Sequence, residues 1–260
     1  MKMELNGEFR ITDLINNNIS HFMIILLFFV VHWYLSLFTQ TFFLHRYVSH
    51  GMFKMNIYWE KFFFFLTFIV QGSSFLNPAA YGIMHREHHA HSDKDGDPHS
   101  PISFKSPVKF MLETFHFYSK TILRTKDLKL KNKGLPQWAL IENLGESMIV
   151  RISFVAMYTL FYFKYSTSYW QYLLIPMHIL MGPIHGFIVN WFGHKTGYRN
   201  HDELNDNSKN SLPVDILMMG ELYQNNHHKK PNSPNFAQRW FEIDVGYLTY
   251  LFLKKVKIIY

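Results

Sequence analysis

Apolar and polar residues are separated along this chain into long blocks, whereas the two kinds are interspersed in a typical soluble protein. Four apolar blocks stand out, at residues 21–44, 57–76, 148–163 and 169–190. A bilayer core of about 30 Å needs roughly 20 helical residues, so the first and last blocks can cross it and the third is marginal. The pattern predicts an all-α, multi-pass membrane bundle with spans over about 21–44, 148–163 and 169–190.

The second apolar block is the weakest candidate for a crossing, because it contains Glu60, Lys61 and Gln71. No repeat or low-complexity linker divides the chain, so a single domain over residues 1–260 is expected. Acidic residues precede the first block and no small-residue cleavage site follows it. These features predict a retained span rather than a signal peptide.

Basic residues indicate how the spans are oriented. Of the 26 lysines and arginines, 13 lie in residues 45–147 and 9 in residues 191–260. By the positive-inside rule, these two polar regions face the cytoplasm. Both ends of residues 57–76 then lie on the cytoplasmic side, so this block is expected to form an interfacial or re-entrant helix. The net charge of +7 favours membrane lipids and other anions as partners, and no nucleic-acid partner is expected.

Histidines cluster at the edges of these blocks, in HRYVSH, HREHH and NNHH. In a helix, HREHH places its three histidines on one face, and His88 and His89 diverge by about 100°, which suits two neighbouring metal ions. Because the chain has no cysteine, a metal here must bind imidazole, carboxylate or amide groups. The candidate ligands are His45, His50, His85, His88, His89, Asn190, His194, His227 and His228.

Each of these elements has an alternative explanation when it is taken alone. HREHH could form a solvated helix face, the HRYVSH histidines could be interfacial side chains, and Asn190 with His194 could end a helix. The NNHH pair, followed by two lysines, could bind anionic lipid. The predicted topology places all four elements on one membrane face, and this coincidence favours a metal site. His32, His178 and His185 lie within the spans and are expected to hydrogen-bond between helices.

The motifs resemble those of integral-membrane fatty acid desaturases of the acyl-CoA (stearoyl-CoA type) group, over most of the chain. HRYVSH resembles the first histidine box of that family, HREHH the second, NWFGH the Asn-xxx-His element and GELYQNNHH the third box. DPHSP, GYRNHD and RWFEID are also similar to family sequences. The resemblance implies an all-α membrane bundle whose cytoplasmic cap carries a di-iron site.

The resemblance also implies which residues would bind each of two non-haem iron ions. The first ion would take His45, His50, His85, His89 and His227. The second would take His88, His194 and His228, with Asn190 acting through a water. Where the acyl-CoA enzymes have a further histidine, this chain has Gln224, a weaker neutral donor. We treat Gln224 as a hypothetical direct or water-bridged ligand of the second ion.

The implied reaction is the O2-dependent insertion of a cis double bond into a long saturated or monounsaturated acyl chain, with delta-9 as a candidate position. Acidic residues near the boxes are expected to orient the imidazoles, and the candidates are Glu87, Asp93, Asp97 and Glu221. Trp33, about three turns before His45 on the same helix, is a candidate for the closed end of the acyl tunnel. The alternative for Trp33 is a lipid-facing position.

The acyl carrier stays open, as CoA, acyl carrier protein or an intact lipid. Ile83 and Met84 replace the Arg-Asp pair with which the animal enzymes contact CoA. No haem-binding or ferredoxin domain fits into the chain, so a separate electron donor is expected, of the ferredoxin or cytochrome b5 type with its reductase. A membrane di-iron hydroxylase or ketolase is an alternative function, and a metal transporter is a more remote one because transport sites usually lie inside the spans.

Overall fold

A computed structural model describes residues 2–126 and 134–260, with side chains apart from those of residues 2–15 and 17. The described chain is helical, and its β-structure consists of isolated bridges. The all-α class expected from the apolar blocks is therefore confirmed. The α-helices are α1 (Lys2–Phe38), α2 (Ile57–Gln71), α3 (Pro78–His91), α4 (Pro107–Thr125), α5 (Ala139–Glu146), α6 (Met148–Tyr165), α7 (Ile175–Ile179), α8 (Met181–Lys195), α9 (Gln224–Lys229) and α10 (Val245–Lys255).

Helix α1 continues without a break into a π-helix over Thr39–Ser49. Its segment Asn18–Ser49, of 32 residues, is long and apolar enough to cross a membrane. At 1.5 Å per residue an α-helix of that size measures about 48 Å, which is more than a bilayer core of about 30 Å. Apolar side chains are exposed along α1 as far as Leu35, whereas residues 36–49 are buried or half-buried. The end of this long helix therefore carries His45 into the protein interior.

Three further segments have the length and composition of a span only when two bent helices are taken together. They are Ile57–Ser74 with α3, bent by 82°, α5 with α6, bent by 63°, and Tyr169–Ile179 with α8, bent by 77°. The block at 148–163 corresponds to α6, but the block at 169–190 is not one straight helix as the sequence suggested. It consists of a 3-10 turn over Tyr169–Leu174, then α7 and the first part of α8.

The bend between α7 and α8 has an identifiable cause. Pro183 lies in the first turn of α8 and has no N–H to donate to the carbonyl of Ile179. That carbonyl instead accepts a hydrogen bond from Ser73 Oγ at 3.1 Å, and the N–H of Gly182 donates to Ser74 Oγ at 3.1 Å. Both serines belong to the turn that ends α2, so the two interruptions satisfy each other's backbone groups, as buried backbone groups require.

Buried histidines join four elements just below these interruptions. The carbonyl of Val70 can only accept, so His32 Nε2, at 2.8 Å, donates to it. His32 Nδ1 must then accept from His178 Nδ1 at 2.6 Å, which leaves His178 Nε2 to accept from the hydroxyl of Tyr162 at 2.9 Å. This chain of hydrogen bonds links α1, α2, α6 and α7, as expected for His32 and His178. The expectation is wrong for His185, whose two ring nitrogens are buried without a hydrogen-bond partner in the described part of the chain.

Helix α2 exposes one apolar stripe and buries the other side. Asn56 caps its first turn, and the exposed stripe is made of Tyr58, Phe62, Phe65 and Ile69. The polar residues of the block have partners inside the protein: Glu60 accepts from Tyr47, Gln71 accepts from the N–H of Leu76, and Lys61 lies over the ring of Trp138. The interfacial or re-entrant placement of α2 stays a prediction.

The cap is formed by α3, α9 and the polar segments around residues 92–106, 196–223 and 230–244. An aromatic core beside the cap, which includes Phe42, Phe43, Phe63, Phe64 and Phe75, lies between the π-helix, α2 and α3. The chain segments after α8 are held by bridges that pair Tyr198 with Asn210 and Asp215 with Asp244. The cap thereby brings α3 and α9 next to the C-terminal ends of the π-helix and α8.

Candidate metal centre

Eight histidines from distant parts of the chain gather into two groups inside the cap. The first group consists of His45, His50, His85, His89 and His227, and the second of His88, His194 and His228. Within each group, one potential ligand atom per residue lies within 4.8 Å of all the others. The division of the eight residues is the same as the one implied by the family resemblance.

The nitrogen spacings in the first group fit a shared cation. The Nε2 atoms of His50 and His85 are 2.8 Å apart, and His227 Nε2 lies 3.0 Å from that of His45 and 2.9 Å from that of His89. A single imidazole nitrogen can donate or accept only one such bond, so it cannot serve two neighbours at once. Nitrogen ligands about 2.1 Å from an ion are about 3.0 Å apart along an octahedral edge, close to these distances.

In the second group, an aspartate accepts a hydrogen bond from Nδ1 of each imidazole. This bond fixes the tautomer that carries its lone pair on Nε2, the usual arrangement of histidines that ligate metals. The Nε2 atoms of all three residues are buried and have no hydrogen-bond partner within the described part of the chain. The pairs are His88 with Asp97 at 2.9 Å, His194 with Asp93 at 2.9 Å, and His228 with Asp206 at 2.8 Å.

The surroundings of the second group keep Asp93 ionised and His228 neutral. Burial alone would raise the pKa of Asp93, but hydrogen bonds from His194, Ser100 and the backbone N–H of Asn207 hold that pKa well below its ordinary value. Burial lowers the pKa of His228 to about 4, against the opposing effect of Asp206. At neutral pH the His228 ring is therefore uncharged and its Nε2 is available to an electrophile.

His45, in the first group, is oriented by a buried network of charges. Its Nδ1 lies 2.6 Å from Glu221 Oε2. The fully buried guanidinium of Arg46 donates from Nη1 to Glu221 at 2.7 Å and from Nη2 to both oxygens of Asp244, at 3.0 and 2.9 Å, and it stacks over the ring of Phe236. One arginine thus faces two carboxylates, which leaves a net negative charge beside His45.

Helix α9 carries His227 and His228 and is held by amide side chains. Asn225 Oδ1 accepts the N–H groups of Asn200 and His201, both at 2.8 Å. Asn226 Nδ2 donates to Glu242 Oε2 at 2.9 Å and to the carbonyl of Phe236 at 2.8 Å. A helix of only six residues has little stability of its own, so these contacts set the direction of the two imidazoles.

Gln224 and Asn190 use their amide nitrogens within the protein. Gln224 Nε2 donates to the carbonyl of Glu221 at 2.7 Å, and Asn190 Nδ2 donates to that of Gly186 at 2.8 Å. In both side chains, the amide oxygen is the atom that could bind a metal or accept a hydrogen bond from its water. Gln224 also packs against Gly193, where an added Cβ would lie 2.5 Å from Gln224 Cγ. The ligand roles of both residues stay predictions.

Of the four acidic residues expected to orient the imidazoles, Asp93, Asp97 and Glu221 contact histidines, whereas Glu87 does not. The carboxylate of Glu87 pairs with Arg124 at 2.7 Å on the surface. Glu87 follows His85 by two positions and so lies on the opposite side of α3, which corrects the expectation for this residue.

Asp206, Arg46 and Asp244 were missed by the sequence analysis. Asp206 is 22 positions from His228, and no local spacing connects the two. The only available signal was the presence of Asp206 in a polar segment between two histidine elements. For Arg46, the signal was its position between His45 and His50 at the end of an apolar helix.

Trp33 is buried, so the lipid-facing alternative is excluded. Its indole N–H donates to the carbonyl of Leu217 at 3.3 Å, and its ring meets that of His185 edge to face at 4.5 Å between centroids. These contacts hold the indole between α1, α8 and the cap. A role at the end of an acyl tunnel stays a prediction.

The model of the family described as Fatty acid desaturase matches residues 20–241. Delta-9 desaturase-like 2 protein of Arabidopsis thaliana is 29% identical over 220 residues, which are 82% of this chain and 68% of that protein. The sn-1 stearoyl-lipid 9-desaturase of Anabaena variabilis is 26% identical over 211 residues, which are 79% of this chain and 71% of that protein. Hex-5-enoyl-(acyl-carrier protein) acetylenase of Moorena producens is 25% identical over 247 residues, which are 88% of this chain and 73% of that protein.

Proposed function

Because the chain belongs to the fatty acid desaturase family, whose members are membrane-associated oxidoreductases, we propose that it inserts a cis double bond into a long saturated or monounsaturated acyl chain. We place the double bond at the delta-9 position, as in the names of several relatives. The observation that carries the proposal is the convergence of eight imidazoles into two groups, with three of them fixed by aspartates.

The donors present fit two iron ions. Each group offers neutral nitrogen ligands without a thiolate, and such ligands suit iron in oxidative chemistry. When bound, the irons would supply the redox chemistry that removes two hydrogens from adjacent methylenes. O2 would be reduced to two waters by these two hydrogens together with two electrons from the donor and two protons. In this proposal His45, His50, His85, His89 and His227 hold one ion. His88, His194 and His228 hold the other, with Asn190 acting through a water and Gln224 as an additional ligand.

The protein's own residues contribute orientation and charge. The carboxylates of Asp93, Asp97 and Asp206 keep the imidazole protons on Nδ1 and the lone pairs on Nε2. Glu221 does the same for His45, and Arg46 holds Glu221 in place. The buried negative charge of these carboxylates would offset the positive charge of the ions, which favours binding in a low-dielectric interior.

The acyl chain would lie between the spans, beneath the two histidine groups, with Trp33 at the closed end. The contacts of Trp33 with Leu217 and His185 support this assignment because they fix the indole in one position. Several relatives are named for a lipid-linked substrate and another for an acyl-carrier-protein substrate, so both carriers remain candidates beside CoA.

We also propose that the chain crosses the membrane several times and presents the histidine groups on the cytoplasmic face. The distribution of lysine and arginine supports this orientation. Electrons would come from a separate donor of the ferredoxin or cytochrome b5 type with its reductase, which a cytoplasmic site could meet in solution or at the membrane surface.

The direct test is to express the chain in a host with simple lipids and to analyse the fatty acids by mass spectrometry. We expect the wild type to produce acids that lack two hydrogens and His88→Ala to produce none. His116→Ala is the matched control, because His116 is exposed on α4 and far from the boxes in sequence. A product that has gained oxygen would instead indicate a hydroxylase or ketolase. Metal flux into vesicles without any lipid product would indicate a transporter.

A further inference from the structure

Exposed apolar side chains form a strip along the outside of the cap. We call this strip the apolar edge and define it by six residues, each between 41% and 62% exposed: Val214, Ile216, Leu217, Ile243, Leu248 and Phe252. A run of exposed apolar side chains on a cap is unusual for a surface that faces water and marks a contact with a partner or with lipid.

The fold itself turns these side chains outward. Asp215 and Asp244 pair in a parallel bridge, and both aspartates are buried. The Asp215 carboxylate accepts the N–H groups of Met218, Gly220 and Leu222. Val214 and Ile216, which flank Asp215, and Ile243, which precedes Asp244, are exposed beside these buried aspartates. The hydrogen bonds around the two aspartates therefore hold this part of the edge at the surface.

Helix α10 continues the same surface. Asp244 caps its first turn, and Val245, Leu248 and Phe252 follow at a spacing that places them on one helical face. Val245 packs into the cluster that contains Trp33 and Leu37 of α1. At the other end, Tyr260 and Lys54 exchange two backbone hydrogen bonds of 2.9 Å, directly before α2 begins. Both ends of the strip are thus attached to apolar helices.

The position of the apolar edge beside α1 indicates that the edge contacts lipid. Leu217 accepts the hydrogen bond of Trp33, which lies where the exposed apolar face of α1 ends, near Leu35. The strip therefore continues the apolar surface of the candidate span. Four exposed lysines, Lys54, Lys254, Lys255 and Lys257, lie around the far end of α10. An apolar face bordered by lysines is the pattern of a helix that lies in the interface of an anionic bilayer.

We propose that the apolar edge is immersed in the interfacial region of the bilayer leaflet next to the histidine groups, and that the four lysines contact anionic lipid headgroups. The cap then rests on the membrane through residues 214–217 and α10, in addition to its attachment through α1 and α8. This contact depends on the membrane association of the family and not on which reaction the histidine groups catalyse.

The chain has no cysteine, so single introduced cysteines can be spin-labelled without background. We would label Ile216→Cys and Phe252→Cys, with Asp202→Cys as a control because the side chain of Asp202 is 90% exposed. The proteins are placed in vesicles of phosphatidylcholine and phosphatidylglycerol, and collision rates with O2 and with a water-soluble nickel chelate are measured. We expect labels 216 and 252 to collide mainly with O2 and label 202 mainly with nickel.

Two other results would overturn the contact with lipid. Labels at 216 and 252 that collide with nickel as often as label 202 would place the edge in water. Labels that rarely meet either reagent would place it against another protein surface, such as a second copy of the chain. For the lysines, we expect Lys254→Gln, Lys255→Gln and Lys257→Gln, combined, to reduce the O2 preference of label 252 only when phosphatidylglycerol is present. An unchanged preference would remove the headgroup contact.

Discussion

At the scale of single residues, the chemistry of the site rests on which atom of each imidazole carries the proton. In the second group, all three Nδ1 atoms face aspartates, so all three Nε2 atoms are left to a ligand. Three aspartates whose side chains are at most 11% exposed would be costly to keep ionised if no positive charge balanced them. We therefore expect the loss of any one of these carboxylates to lower the affinity of the second group for a cation.

The first prediction concerns Asp206, which the sequence analysis did not identify. Replacement with asparagine keeps the shape but removes the charge that holds His228, and loss of such a partner typically weakens metal binding by about 10- to 100-fold. We expect Asp206→Asn to lose iron from the second group first, measured as the iron content of purified protein during chelator titration. Glu87→Gln is the matched control, since Glu87 pairs with Arg124 instead. Equal iron retention by both variants would contradict the assignment.

The second prediction concerns Gln224, which stands where related acyl-CoA enzymes have a histidine. If its amide oxygen binds the second ion, Gln224→Ala should lower both iron content and turnover, whereas Gln224→His should retain both because imidazole is the stronger donor. The measurements are metal analysis and fatty acid profiles of the two variants. Wild-type iron content and turnover in Gln224→Ala would remove this residue from the site.

At the scale of elements, the interruptions of the apolar helices are paired rather than independent. The turn over Gly72–Ser74 supplies the hydroxyls that the break between α7 and α8 needs. At these breaks, α3 and α8 bend away from the preceding helices by 82° and 77°. The histidines of α3 and α8 reach the cap because of these bends.

The third prediction tests this pairing. Ser74→Ala would leave the N–H of Gly182 without its partner, and an unsatisfied buried group costs about 1–3 kcal/mol. We expect a lower melting temperature in detergent for Ser74→Ala than for the wild type. Ser153→Ala is the control, because Ser153 is exposed and donates only to the carbonyl of Ile149 in its own helix. Equal melting temperatures of the two variants would mean that the breaks do not depend on each other.

The fourth prediction concerns the interface of α1 and α8, where Trp33 contacts His185. If Trp33 closes the acyl tunnel, Trp33→Ala should shift the product profile towards longer acyl chains, because the space of the indole becomes available. The matched control is Trp170→Ala, since the side chain of Trp170 is exposed on the turn before α7. An unchanged chain-length preference in Trp33→Ala, with activity retained, would show that this role is wrong.

At the scale of the whole molecule, a network of three charges connects parts of the chain that are nearly 200 positions apart. Arg46 on the π-helix binds Glu221 before α9 and Asp244 before α10. The same network orients His45 and attaches the C-terminal helix to the cap. Metal binding and the docking of α10 are therefore expected to stabilise each other.

The fifth prediction follows from this network. Arg46→Met would leave two buried carboxylates without their cation, and breaking a buried ion pair in this way costs about 3–5 kcal/mol. We expect a large loss of thermal stability and faster hydrogen exchange in residues 245–255, both measured with and without added iron. Arg124→Met is the control, since its pair with Glu87 is largely exposed and such pairs contribute about 0–1 kcal/mol. Wild-type exchange in α10 of Arg46→Met would contradict the coupling.

The sequence by itself determined the all-helical class, the span candidate at 21–44, which lies within the long helix Asn18–Ser49, and the eight histidines, because apolar blocks and the spacing of HREHH are local properties of the chain. It also indicated Asp93, Asp97 and Glu221, which lie near the boxes. Only the tertiary structure decided that Asp206 partners His228, that Glu87 faces away, that the block at 169–190 is bent and that Trp33 is buried. Each of these depends on contacts between segments far apart in sequence, and no local periodicity records which distant group will satisfy a buried imidazole or a free backbone carbonyl.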